Sequence, residues 1–461
     1  MKTECTPQSA QFQPSGNREI RAAFDGGSIS SDGGALLLRE VEKKTGILKF
    51  FSSCLEDQRD PSRTLHPAAD LLAQRIYAIA LGYEDLNDHD DLRRDPLMGL
   101  LLDKPLQGNS TPLLAGKSTL NRFELTRPES ASTDRYKKVI LHQDKVDQAL
   151  VDIFLAAYTD PPKEIIFDLD ATDDPLHGKQ EGRYFHGYYG CYCYLPLYIF
   201  CGDHLIGTRL RPSNRDAAAG ALEEVIRIVD RVRASWPEVR ILLRADSGFC
   251  RDAIMTWCES NNVEYLFGLA RNRRLEERLT SSMVEAKEQY NETGTPSRVF
   301  KNFYHRTLDS WSRVRRVVGK AEYLPKGPNP RFVVTSLSRA EVDERRLYED
   351  LYCARGDMEN RIKEQQLYLF ADRTSSHAFR ANQARLYFSS MAYVLMSALR
   401  RLGLAGTELA RAQCSTIRLK LLKIGTRIRT SVRRVWISYS ESYPYVRIFL
   451  QALANLGGSP A

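Results

Sequence analysis

The sequence predicts an α/β protein: a mixed sheet interrupted by a β-rich insertion and flanked by helical N- and C-terminal regions. Three observations lead there. Short apolar runs at 164–170, 192–200, 204–210, 240–246 and 264–269 read as strands, the early ones as a hairpin and the later ones alternating with helices, which gives a mixed and not an all-parallel sheet. Three more strand-like runs, 298–306, 313–323 and 331–337, crowd together before the next helix. Both ends of the chain carry apolar residues mostly at helical spacing.

At 461 residues the chain exceeds what one hydrophobic core supports, so two or three domains are expected. Residues 1–160 read as a helical N-terminal region suited to DNA binding, with a loose polar arm over the first twenty residues. After the Gly33-Gly34 turn a short helix starts at Ala35, and helical patterns follow at 68–80 and 136–157. Residues 161–270 form the first part of the α/β domain, 271–337 the β-rich insertion, and 338–375 the helix that returns to that domain. Ser338 and Glu341 have capping-box spacing. Residues 376–461 read as a helical, basic C-terminal region for DNA binding or dimerisation.

Composition bounds the function. A 43% hydrophobic, 27% charged chain is globular, and no apolar run approaches the ~20 residues that span a bilayer. The N-terminus lacks a secretory pattern, so a cytoplasmic protein is expected. Nine scattered cysteines argue for a reducing compartment. Cys191 and Cys193, with His186 nearby, lack a Cys-x-x-Cys and a fourth zinc ligand. The net charge of +8 is modest, but Arg400, Arg401, Arg411, Arg418, Lys420, Lys423, Arg427, Arg429, Arg433 and Arg434 crowd one stretch almost free of acids. Phosphate contact explains it better than a solvated helix face.

Acids at the ends of apolar strands need a reason, because a buried carboxylate is costly unless paired or metal-bound. Asp170 ends one strand and Asp246 another. Each alone reads as a cap for the loop or helix after it; two on neighbouring strands would meet at the carboxyl edge of the sheet, where α/β sites lie. Asp168 shares a strand face with Asp170 and is the likeliest impostor or helper. Further on, Tyr352, Arg355, Glu359 and Lys363 fall on one helix face. The bland reading is an exposed face stitched by a Glu359–Lys363 pair, but such a face does not need a tyrosine, and Gly356 inside the helix hints at a close approach.

Asp170-Ala171-Thr172, Asp246-Ser247-Gly248-Phe249 and the Tyr-x2-Arg-x3-Glu helix resemble the three catalytic blocks of RNase H-like DDE transposases of bacterial insertion sequences, in the group with a β-rich insertion between the second Asp and the Glu. The resemblance covers roughly 161–370. It implies that Asp170, Asp246 and Glu359 hold two Mg²⁺ ions, with Mn²⁺ able to substitute, and that Tyr352 and Arg355 grip phosphates. It further implies a homodimer acting on double-stranded DNA, at terminal inverted repeats and at target DNA, in the bacterial nucleoid. The group's lysine seven residues after the Glu is Gln366 here, with Lys363 one turn earlier as its substitute.

Trp311 in the insertion is a candidate for stacking a base near the cut, against the alternative that it is core. Arg427, Arg429, Arg433 and Arg434 are the candidate phosphate contacts of the C-terminal region. Ala115-Gly116-Lys117-Ser118-Thr119 ends like a phosphate-binding loop, but Thr111 replaces the first glycine and Pro112-Leu113-Leu114 stiffens the loop, so Ser118 or Thr119 reads as a helix cap. Two other functions use parts of the same pattern: an RNase H-like nuclease without strand transfer, and a non-catalytic DNA-binding protein derived from such an enzyme. A paired-carboxylate glycosidase needs neither metal nor the basic stretch.

Overall fold

The computed structural model describes residues 9–106, 113–126 and 138–458. Thr111 and Pro112, and the start of the polar N-terminal arm, lie outside them. The chain gathers into two compact units. Residues 142–367 and 371–390 form the sheet unit; residues 1–141, 368–370 and 391–461 form the other, so the two ends of the chain share one unit.

In the sheet unit, helix α1 (Gln143–Leu155) precedes strands β1 (Glu164–Ala171), β2 (Leu197–Cys201) and β3 (His204–Arg209). Helix α2 (Ala221–Ser235) leads to β4 (Arg240–Ala245), α3 (Asp252–Ser260) to β5 (Glu264–Leu269), and α4 (Arg273–Thr293) to β6 (Ser297–His305), β7 (Arg315–Leu324) and β8 (Arg331–Thr335). The order across the sheet is β3-β2-β1-β4-β5-β8-β7-β6. Only β1, β4 and β5 run parallel to one another; every other pairing is antiparallel.

Strand alternation builds the two faces. Ile165, Phe167 and Leu169 of β1 enter one core, while Ile166 joins Leu242, Leu266, Val318 and Val333 on the other. Helix α2 covers the first face with Val225, Ile228, Val229 and Val232, an i, i+3, i+4, i+7 stripe in which each aliphatic contributes about 1.5–3 kcal/mol by burial.

The three insertion strands form where expected, but they are not a separate β unit. Strand β8 pairs with β5 and carries β7 and β6 onto the same sheet, whose ninth strand is the two-residue Gly327–Pro328 paired with the end of β7. The reason is β5 itself: Tyr265, Leu266 and Phe267 are buried on both faces, and an edge so apolar needs a partner. The region also holds the 21-residue α4, which seats Leu275, Leu279 and Ala286 in the first core.

The other unit is helical at Leu36–Thr45, Ala68–Leu81, Lys117–Glu124 and Val446–Leu456, with two departures from expectation. The polar arm is an exposed hairpin of Ser9–Ser15 and Arg18–Ala23. The basic C-terminal stretch includes a second hairpin, Thr426–Thr430 with Val435–Tyr439, which pairs with Ser28–Ser30. Thr426-Arg427-Ile428-Arg429 alternates buried and exposed, the period of a strand. Gly34 lies so close to the Leu421 backbone that no Cβ would fit, and the Gly33 N–H donates to the Ile424 carbonyl at 2.9 Å. The 136–157 helical pattern starts later than expected, because Val139–Leu141 is a strand.

Two caps also differ. Ser338 and Glu341 do bond reciprocally, at 2.8 and 3.3 Å, but they close a turn, and Asp343 caps the next helix. The helix at 117–124 starts one residue before Ser118, with the Asp90 carboxylate accepting from the Lys117 N–H at 3.1 Å.

Candidate active site

Ala245 of β4 is paired in parallel with Leu169 of β1. One step further along both chains stand Asp246 and Asp170, side by side at the carboxyl edge of the sheet. Asp170 is the penultimate residue of β1, and its Oδ1 accepts from the Ala171 N–H at 2.9 Å. Asp246 caps the turn after β4, accepting from the Gly248 N–H at 2.8 Å. The capping role read from the sequence is therefore real, and it occupies one oxygen.

The third acid arrives on a helical stretch, 344–368, that contains helix α5 (Gly356–Lys363). Leu347 and Tyr348 dock it in the second core. Arg244 fastens it further: its guanidinium clasps Asp168 at 2.6 and 2.8 Å and donates to the Leu351 carbonyl. Both side chains of that clasp are buried. Asp168 is thus committed to an ion pair that ties β1, β4 and this helix together.

From this mount Arg355 donates to Asp170 at 3.2 Å and to Glu359 at 3.0 Å. Glu359 is half exposed. Burial pushes the Asp170 carboxyl up to about 6; the Arg355 charge opposes that, while Asp246 and Glu359 add to it. Burial likewise works against the Arg355 charge, but Asp170, Tyr352 and Glu359 outweigh it and raise its affinity for the proton. Tyr352 reaches in beside Asp246. A Cβ placed on Gly268 of β5 would stand 2.5 Å from the Tyr352 Oη and 2.9 Å from the Ser247 N, so only glycine leaves room there.

Lys363 is exposed and forms no ion pair among the described residues; the i, i+4 pair on this helix is Arg355 with Glu359. Gln366 donates to the Asp173 carbonyl at 3.0 Å, bracing the loop just after Asp170. Trp311 does not lean over the acids. It is 4% exposed, sits in the first core, and packs against His305 and Arg315; an indole there gains more from burial than from waiting in water.

An aromatic group that the sequence reading missed stands nearer the acids. Strands Tyr184–His186 and Cys191–Tyr194 pair as a hairpin, and the second also pairs with Asp174–Pro175, just past Asp170. Phe185 is 58% and Tyr188 87% exposed. Arg183 lies 3.8 Å over the Tyr192 ring. Burial pushes the Tyr189 phenol up to about 12, and the charges of Asp173, Asp170 and Asp246 add to it, which marks its closeness to the cluster. The run of aromatics between 184 and 194 was the available signal.

The carboxylates fit a hard cation by chemistry. They crowd negative charge, and Arg355, bonded to Asp170 and Glu359, offsets part of it. Closed around Arg355, the described residues bring no three His, Cys, Asp or Glu side chains within metal-holding reach of one another.

In the other unit, Arg427, Arg429, Arg433 and Arg434 are exposed on and around the C-terminal hairpin, and Arg429 stands across from the exposed Trp436. Several of their neighbours have structural work instead. Arg418 donates to the Ile79 and Ala80 carbonyls at the end of Ala68–Leu81, Lys423 pairs with buried Asp32 at 2.6 Å, and Arg400 is buried against Cys414. Among the described residues no helix is long and apolar enough to cross a membrane.

No curated protein matches the sequence. Among solved structures, the chain is similar to the Mos1 transposase paired-end complex with left transposon end, at 13% identity and a TM-score of 0.17. That match covers 46% of this chain and 61% of the other, under two thirds of its length. The family model for the transposase DDE domain, group 1, matches residues 12–461, nearly the whole sequence. The chain belongs to the transposase DDE domain group 1 family.

Proposed function

We propose that this protein is a DNA transposase that cleaves the ends of an insertion sequence and joins the freed 3′-hydroxyls to target DNA. The observation that carries the reading is the convergence of Asp170, Asp246 and Glu359, from two parallel strand ends and one helix, around Arg355 and Tyr352. Asp170, Asp246 and Glu359 would hold two Mg²⁺ ions, with Mn²⁺ as substitute. When bound, such a pair supplies nucleophile activation and charge neutralisation at the leaving oxygen.

The chain's own residues do the positioning. Arg355 presents a planar fork suited to a phosphate, and its present partners are the acids themselves. Tyr352, wedged over Gly268, sets the floor of the site. The exposed rings of Phe185 and Tyr188 offer stacking faces for unpaired bases in the role first given to Trp311, worth about 1–3 kcal/mol per base. The arginine hairpin at 427–434 holds backbone phosphates without reading sequence. We place the protein in the bacterial cytoplasm, on the nucleoid, as a homodimer on its DNA.

The test is incubation of the full chain with Mg²⁺, a supercoiled target plasmid and linear DNA carrying the inverted repeats that flank its gene. Joined products with free 5′ flanks are expected. Nicks without joining would favour the nuclease, and binding without either would favour the non-catalytic reading.

A further inference from the structure

The segment set aside as a nucleotide loop, 116–119, has another place in the fold. Gly116, Ser118 and Thr119 line a cavity of about 820 Å³ whose wall also carries Arg59, Arg63, Arg93, Arg122 and Lys138. We infer that this cavity is a phosphate-binding site and that its ligand is a backbone phosphate of duplex DNA. The inference rests on the DNA-transposase reading and gives its helical unit a specific grip.

Charge carries the argument. Two acids line the same cavity, and both are engaged. Asp60 accepts from the Ser62 N–H and hydroxyl at 3.0 and 2.8 Å and lies 3.6 Å from Arg63. Asp90 accepts from the Lys117 N–H and pairs with its Nζ at 3.3 Å. Arg59 is held by Asp57 at 2.6 Å. Arg93, Arg122 and Lys138 form no ion pair among the described residues, and the Arg93 Nε is buried with no hydrogen-bond partner.

Five cations against two engaged acids leave a concave surface with positive charge to spare, which is how a protein attracts a polyanion. Gly116 is shaped by the same cluster. A Cβ there would stand 2.9 Å from both the Arg93 Nη1 and the Asp90 Oδ1, so glycine lets the guanidinium lie across the start of the helix. Burial lowers the proton affinity of His66, also in the wall, and Lys104, Arg93 and Arg59 act with it against Asp70. The donors here are side chains, not the looped backbone of a nucleotide hydrolase, and the missing first glycine does not matter.

The experiment uses the full chain with Arg122→Gln and Lys138→Gln combined. Both side chains are exposed, so the fold should survive. Binding of a fluorescein-labelled 30-base-pair duplex is titrated against salt in EDTA, with inorganic phosphate and ATP as separate probes. The expected result is a roughly tenfold loss of duplex affinity and a salt slope flatter by about 1.8, at about 0.9 per phosphate contact. An unchanged slope overturns the site; loss of ATP or phosphate binding with duplex binding intact overturns the DNA assignment. Because EDTA removes cleavage from the assay, failure here is distinct from failure of Mg²⁺-dependent strand transfer, which tests the underlying reading.

Discussion

Arg355 and Asp170, 185 residues apart in sequence, meet at 3.2 Å, and the arginine charge opposes the burial that raises the Asp170 carboxyl. The arginine serves as the resident cation among three acids. Replacing it by Gln should therefore leave the acids more dependent on added metal. We expect Mg²⁺ to raise the melting temperature of Arg355→Gln by more than that of the wild type, by several degrees if a site near 100-fold saturation contributes about 2.7 kcal/mol. Melting curves that ignore Mg²⁺ in both proteins would count against these acids as ligands.

Asp246→Asn and Glu359→Gln should each abolish strand nicking while leaving DNA binding nearly intact, since charge is removed at almost constant shape. Nicking at the wild-type rate by either variant would sink the assignment.

Asp168 and Asp170 should separate cleanly. Asp168→Asn leaves Arg244 buried with half its partner gone, a change that costs about 3–5 kcal/mol when a buried pair is broken. Its expected signature is a lower denaturation midpoint; for Asp170→Asn it is absent activity in a stable protein. Denaturant titration and nicking of both variants give the ranking, and the reverse order would mean the wrong acid was chosen.

Gly268→Ala puts a methyl against the Tyr352 hydroxyl and the Ser247 N–H. Strand cleavage should fall at least tenfold with duplex affinity retained. Combining it with Tyr352→Phe should recover part of that activity, because one of the two clashes disappears. A fully active Gly268→Ala enzyme would show that the tyrosine is not held there during turnover.

Buried His89 sets an acid limit on the helical unit. Burial is the main cause, with Arg75 adding to it, that lowers its proton affinity to about 3. A depressed histidine is neutral when folded and charges on unfolding, so its contribution is full above about 6.5 and is lost as pH falls from there toward 3. At pH 5 that loss is about 2 kcal/mol. His89→Leu should flatten the decline of unfolding free energy between pH 6.5 and 4; an unaltered slope there would rule His89 out as its source.

Replacing Arg427, Arg429, Arg433 and Arg434 by Ala should weaken binding to every duplex alike and flatten the salt slope, by about 0.9 for each phosphate no longer held. Weakening confined to one sequence would point to base reading instead.

Much of this was legible in the sequence, because strand and helix periodicities are local. The apolar runs gave the strands, their hairpin-then-alternating order gave the mixed sheet, and the spacing of Tyr352, Arg355 and Glu359 put them on one helix face. The features that stayed hidden depend on partners far along the chain. No periodicity says that β8 will close the apolar edge of β5 and draw the insertion onto the main sheet, that Arg244 will claim Asp168 and leave Asp170 to the site, or that Trp311 will be core while Phe185 and Tyr188 stand in water. Even the arginines at 427 and 429 needed the fold, since their strand pairs with Val435–Tyr439 on one side and, through Thr426–Ile428, with the distant Ser28–Ser30 on the other. Sequence determined which groups the protein has and their local geometry; burial and charge pairing, which sum over contacts from the whole chain, decided which of them are spent on structure and which are left for chemistry.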